Sequence, residues 1–269
     1  MEQVLQGKSA KLFVLLAGVF VTTALVAEFI GVKIFSLEMS LGFAPANLRI
    51  LGYGQLSFNL TAGVLLWPVV FVLTDIINEY FGPRGVRFLS WMTVVLIAFA
   101  FLVIYVAIRL EPAGFWPRSH LTRLATEAQR EAMEARVSDY DAAFGIVFGQ
   151  SLWIIIGSLV AFLVGQILDV VSFHRIKQWT GEEKIWLRAT GSTLISQLVD
   201  SFVVLFIAFY LGAHWPFTRV LAIGLINYMY KFVMAIALTP AIYAMHYVIE
   251  RYLGPEEAER LRQLAMQNT

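Results

Sequence analysis

Long apolar runs separated by short polar connections dominate this chain. Six of them stand out, at roughly Lys11–Leu37, Phe58–Phe81, Val86–Leu110, Ala143–Phe173, Arg188–Leu211 and Thr218–Tyr252. Within each run the apolar positions are continuous and not alternating, which predicts helices and not barrel strands. A span needs roughly 20 apolar residues to cross about 30 Å of hydrocarbon, and every run is long enough. The pattern predicts an all-α integral membrane protein, a six-transmembrane-helix bundle occupying residues 1–254. Gly82-Pro83 breaks the chain after the second run, Gly181 lies between the fourth and fifth, and Gly254-Pro255 closes the sixth. The first run is longer than the apolar part of a signal peptide and contains Glu28, so it reads as a retained span.

Two segments fall outside this pattern. Residues 111–142 form a long third loop in which Leu121, Leu124, Ala128 and Ala132 recur at helical spacing, predicting a short amphipathic helix. Such a helix serves as a surface connector, a lid or a docking element. Residues 255–269 form a charged C-terminal tail.

Composition narrows the function. The chain has 269 residues, of which 59% are hydrophobic and 14% charged, where a soluble domain carries about a quarter charged. A net charge of +1 with no basic patch argues against a nucleic-acid partner. The absence of cysteine removes disulfides, thiolate metal sites and cysteine nucleophiles. No HExxH or GxSxG motif occurs, so no catalytic residue, metal site or cofactor is expected and an enzyme is disfavoured. No P-loop occurs either, so ATP coupling would need a partner chain.

Lys and Arg in the connections set orientation. With the N-terminus inside, the inner side holds Lys8, Lys11, Arg84, Arg87, Arg175, Lys177, Lys184, Arg188, Arg251, Arg260 and Arg262, against a smaller outer set. The bias predicts a multi-pass protein of the cell inner (plasma) membrane with both termini cytoplasmic.

Polar residues inside the runs carry the candidate chemistry, because a charge at the bilayer centre costs roughly 3 kcal/mol or more. Asp75, Asn78 and Glu79 sit at i, i+3 and i+4 and share a helix face. The alternative for these three is a helix end that has reached the interface. Gln166 and Asp169 repeat as Gln197 and Asp200, each pair again on one face. Asp200 lies about twelve residues, roughly 18 Å, into its run. Asn227 and Lys231 share a face of the sixth run, with Lys231 at a similar depth. An Asp200–Lys231 contact is expected, either a permanent ion pair or one that opens for substrate. Glu28 suits a site or an interface. Several helices thus aim carboxylates, carboxamides and a lysine at one region. The economical reading is a shared polar pocket, with Phe71, Trp153, Phe162, Phe202 and Tyr228 available to wall it.

At these residues the chain resembles the queuosine precursor transporter family, also called the vitamin uptake transporter family. The resemblance rests on Leu73–Glu79 with Tyr80, Gly82 and Arg87, and on Ala161–Asp169 with Phe173 and Trp179-Thr180-Gly181. It continues through Ser196–Asp200, and through Asn227-Tyr228 with Lys231 and Thr239-Pro240. It covers about 58–247 outside the long third loop. Gly165 departs from the family's pattern, which has Ser before the Gln, and the long loop is unusual.

The resemblance implies a membrane transporter that imports queuosine precursors, 7-cyano-7-deazaguanine and 7-aminomethyl-7-deazaguanine. It also implies a fold similar to the substrate-binding subunits of energy-coupling-factor transporters. The residue chemistry is compatible. A carboxylate can accept the N1–H and exocyclic amine of a guanine-like edge as a bidentate pair, and a carboxamide can satisfy O6 and a ring nitrogen. Asp200 and Gln197 are the leading candidates, then Asp169, Gln166, Asp75, Asn78 and Glu79, with Asn227 and Lys231 in support. The alternative function is the substrate-binding subunit of an ATPase-driven vitamin importer. The expected partners are a small 7-deazapurine and the lipid bilayer. A homo-oligomer is allowed but not selected, and an ATPase module is less favoured.

Overall fold

The computed structural model describes residues 7–180 and 185–267. Gly181 and Lys184, used above as a breaker and an inner charge, lie outside the described residues. The elements in chain order are α1 (Lys8–Ile30), β1 (Ile34–Ser36), α2 (Leu37–Ser40), β2 (Leu48–Ile50), β3 (Tyr53–Leu56), β4 (Asn59–Thr61) and α3 (Trp67–Ala107). There follow α4 (Glu127–Glu134), α5 (Tyr140–Phe148), α6 (Leu152–Thr180), α7 (Ile185–Leu205), α8 (Phe217–Ala237), α9 (Thr239–Leu253) and α10 (Pro255–Gln267). Five helices among the described residues are long and apolar enough to cross a membrane: Lys8–Ile30, Trp67–Ala107, Tyr140–Thr180, Trp186–Leu211 and Phe217–Ala237.

α1 shows why these helices suit lipid. Leu12, Leu16, Phe20 and Ala24 are buried at four-residue spacing, while Val14, Leu15, Val19 and Val26 on other faces are apolar and exposed. A helix apolar all round is a membrane element and not the surface helix of a soluble domain.

The predicted boundaries need correction in three places. The first helix stops at Ile30, not Leu37, and the next begins at Trp67, not Phe58. Between them the chain makes two short antiparallel pairs, β1 with β4 and β2 with β3. Glu38 organises this segment, accepting hydrogen bonds from Phe58 N (2.9 Å), Ala46 N (3.3 Å) and the Ser36 hydroxyl (3.2 Å). Second, no loop separates the second and third runs: α3 is two helices joined across a kink at Gly82, where the break was expected, and its φ of 72° and ψ of −179° is glycine territory. Third, the sixth run breaks at Leu238. α9 restarts at Thr239-Pro240, where proline in the first turn lacks only an N–H that would be orphaned anyway.

The chain divides into two compact units, Met1–Val95 with Trp153–Thr269, and Leu96–Leu152. The first has a continuous core drawn from α1, α3, α6, α7, α9 and α10. The charged segment after Gly254 folds as α10 and buries Ala258, Leu261 and Ala265. A Cβ at Gly82 would lie 3.1 Å from the Ala265 carbonyl oxygen, so α10 rests against the bend of α3. Arg262 pairs with Glu250 of α9 and lies over the Tyr80 ring at 5.6 Å, and Tyr80 in turn hydrogen-bonds His246 Nδ1 at 2.9 Å.

In the second unit, α4 begins with a capping box between Thr126 and Gln129, and Asp139 caps α5 by accepting from Asp141 N at 2.7 Å. His120 stacks on Tyr140 with ring centres 4.2 Å apart.

Candidate functional site

A cavity lies between α3, α7, α8 and α9, and the space between packed helices is a common place for small-molecule sites. α3 supplies Trp67, Pro68, Phe71, Val72 and Asp75, all on one helical face. Trp67 and Phe71 stack with ring centres 6.3 Å apart. α7 contributes Thr190, Thr193 and Gln197 at i, i+3 and i+7, and α8 contributes Tyr230, Lys231 and Met234. The wall is mostly apolar and aromatic, with a few convergent polar groups.

Three of the predicted residues reach this wall: Asp75, Gln197 and Lys231. Asp75 and Gln197 are each only 2% exposed. Thr193 Oγ1 donates a long hydrogen bond of 3.5 Å to Asp75 Oδ2. Asp75 Oδ1, Gln197 Nε2 and Gln197 Oε1 have no hydrogen-bond partner among the described residues. A buried polar atom left unsatisfied costs roughly 1–3 kcal/mol. Three such atoms on two cavity-lining side chains present one carboxylate acceptor, one amide donor and one amide acceptor to whatever fills the space.

Four other predicted residues form a polar layer off the cavity wall. Gln166 Nε2 donates to Thr74 Oγ1 at 3.2 Å, and Ser90 donates to Gln166 Oε1 at 3.4 Å. Ser196 donates to Asp169 Oδ1 at 3.2 Å. Asn78 Oδ1 meets His174 Nε2 at 3.0 Å. Glu79 accepts from Lys177 at 3.2 Å and from Arg188 at 2.7 Å. Lys177 and Arg188 looked like inner flank charges in the sequence, yet both are buried against Glu79. His174 and His246 lie within α6 and α9.

Asp200 and Asn227 do not line the cavity. Asp200 instead pairs with Lys231, the two side chains being 20% and 21% exposed. A side chain at Gly165 would meet Asp200 Cβ at 3.8 Å. Glu28, 8% exposed, accepts a hydrogen bond from Ser158. Asn227 is half-buried on α8. Of the aromatics expected to wall a pocket, only Phe71 lines this one, while Phe162 packs on Trp67 at 5.7 Å. Trp67, Thr190, Thr193 and Tyr230 were not singled out as site residues. The stripe Thr190, Thr193, Gln197 is a sequence signal that could have found two of them.

Comparison with known proteins follows this geometry. The family described as "Putative vitamin uptake transporter" matches residues 61–245, a stretch that holds every cavity-lining residue. A "Probable queuosine precursor transporter" of Bacillus subtilis (strain 168) is 31% identical over 209 residues, 76% of this chain and 80% of the relative. One of the same description from Haemophilus influenzae is 29% identical over 212 residues, 76% of each chain. The "Queuosine precursor transporter" of Escherichia coli (strain K12) is 25% identical over 215 residues, 77% of this chain and 82% of the relative. No solved structure matches.

Proposed function

This chain belongs to the vitamin uptake transporter family, and from that premise we propose that it imports queuosine precursors of the 7-deazaguanine type across the inner membrane. The observation that carries this reading is the pair Asp75 and Gln197, buried in an aromatic-walled cavity with Asp75 Oδ1 and both Gln197 amide atoms lacking a partner among the described residues. A flat heterocycle with a donor–donor edge and an adjacent carbonyl complements them. Asp75 accepts the N1–H and exocyclic amine of that edge, and the Gln197 amide nitrogen donates to O6. Trp67, Phe71 and Tyr230 supply faces for the ring.

In this proposal Asp75 takes the reading role expected first of Asp200. Lys231 is held by Asp200 until substrate enters, then turns its ammonium to the carbonyl. Gln166, Asp169 and Asn78 hold the wall residues from behind, Glu79 braces α3 against α6 and α7, and Asn227 supports α8. Counting the two halves of α3 on either side of Gly82 gives six crossings, with both termini on the cytoplasmic side. The likeness to substrate-binding subunits of energy-coupling-factor transporters belongs to the same proposal.

The test is uptake rescue. Cells unable to make queuosine precursors receive 7-cyano-7-deazaguanine or 7-aminomethyl-7-deazaguanine at low concentration, with or without this gene, and queuosine in tRNA is measured. Restoration that depends on the gene and is lost in Asp75→Asn supports the assignment. Equal queuosine without the gene ends it.

A further inference from the structure

Asp75 of α3 and Asp169 of α6 face a common hydroxyl cluster on α7. Thr193 Oγ1 lies 3.5 Å from Asp75 Oδ2. Ser196, three residues further along the same helix, donates to Asp169 Oδ1 at 3.2 Å. Both carboxylates are at most 2% exposed, and each keeps one oxygen, Asp75 Oδ1 and Asp169 Oδ2, without a partner among the described residues.

The charges around them are already engaged. On α3, Glu79 is held by Lys177 of α6 and Arg188 of α7. His174 of α6 meets Asn78. On α8, Lys231 pairs with Asp200, and Tyr230 is the other titratable group on the cavity wall. α9 presents Ile242 there. No ion pair of the described residues includes Asp75 or Asp169. Two carboxylates buried around one hydroxyl cluster oppose each other's ionisation, because desolvation and mutual repulsion both raise its cost.

We infer that Asp75 and Asp169 share one proton across the Thr193 and Ser196 hydroxyls, and that this proton crosses the membrane with each substrate. The inference rests on the transport reading and adds its energy source. The proton enters from the outer side and settles on Asp169, behind the wall. Asp75 stays ionised to accept the substrate's N–H donors. After the cavity opens inward, substrate and proton both leave. Without the proton, the interconversion would carry one more uncompensated buried charge, so the proton permits the crossing.

The full chain is reconstituted in liposomes containing pyranine, with membrane potential clamped at zero by valinomycin and potassium. Tritiated 7-cyano-7-deazaguanine is the probe; it is neutral, so any charge moved with it is the proton's. One-to-one coupling predicts about tenfold accumulation per pH unit of acid-outside gradient, with internal acidification that requires the probe. Asp169→Asn, which keeps the shape, loses accumulation and acidification. Exchange of labelled for unlabelled probe without a gradient separates the two readings. Exchange by the wild type, with an accumulation ratio fixed at one or driven by sodium instead, overturns the proton inference alone. Absence of exchange overturns the transport reading and this inference with it.

Discussion

Arg188 donates a 2.7 Å hydrogen bond to Glu79 in an ion pair where neither side chain exposes more than 1% of its surface. Lys177 reaches the same oxygen at 3.2 Å. Removing one member of such a group leaves charge buried without its partner, a loss of about 3–5 kcal/mol. Glu79→Gln is therefore expected to lower the melting temperature in detergent sharply and to cut membrane expression. Protein that survives keeps its affinity for substrate, because Glu79 does not line the cavity. Thermal melting beside a binding isotherm checks both halves.

Asp75 and Gln197 differ from Glu79 in having no ion pair to lose among the described residues, only the long hydrogen bond from Thr193 to Asp75. Asp75→Asn and Gln197→Ala should leave melting close to wild type while weakening binding. A hydrogen bond to a charged group contributes about 1.5–3 kcal/mol, so Asp75→Asn should raise Kd about 10–100-fold. Calorimetry with 7-cyano-7-deazaguanine reads this directly. Unchanged affinity would remove Asp75 from the reading role.

The Asp200–Lys231 pair separates a fixed brace from a contact that opens. If substrate must take Lys231 from Asp200, Asp200→Asn frees the ammonium in advance. Affinity should then rise several-fold while thermal stability falls. A fixed brace predicts that both fall together, and a double-mutant cycle with Lys231→Met measures the coupling.

Gly82→Ala tests the bend in α3. Its φ of 72° with extended ψ is a region essentially restricted to glycine, at a cost of about 1–3 kcal/mol for other residues. The added methyl also meets the Ala265 backbone at 3.1–3.2 Å. Loss of stability with faster proteolysis of α10 is expected. Truncation after Gly254 should recover the contact part of the penalty but not the backbone part.

Glu38 makes the 31–66 segment sensitive to acid. Slight desolvation pushes its pKa up, but hydrogen bonds from Phe58 N, Ala46 N and the Ser36 hydroxyl outweigh this and hold the carboxyl below the usual glutamate range. A depressed folded-state pKa gives stability that is present above the unfolded value of 4.5 and lost as pH falls through the folded one. Amide exchange at Phe58 and Ala46 should quicken across that acidic window, and Glu38→Gln should remove the dependence.

The cost of charge in an apolar run made the polar helix faces legible in the sequence, and with them Asp75, Gln197 and Lys231. That rule does not tell a wall residue from one behind it. Asp75 and Glu79 are one turn apart on α3, yet only the lower turn receives Lys177 and Arg188 from α6 and α7. Those two cations sit at the ends of apolar runs, where snorkelling is the ordinary expectation. Asp200 and Lys231 were matched by depth, but depth along a helix does not fix which face meets the cavity. Thr190, Thr193 and Tyr230 carried no signal of their own, since hydroxyls are cheap in membrane helices. The strands at 34–61 were hidden because Ile34, Phe35 and Leu60 extend apolar runs that already read as helix.

The seat of α10 against Gly82 joins two helices far apart in sequence, so the bend of α3 lacks its cover until residues 255–267 have been made and folded.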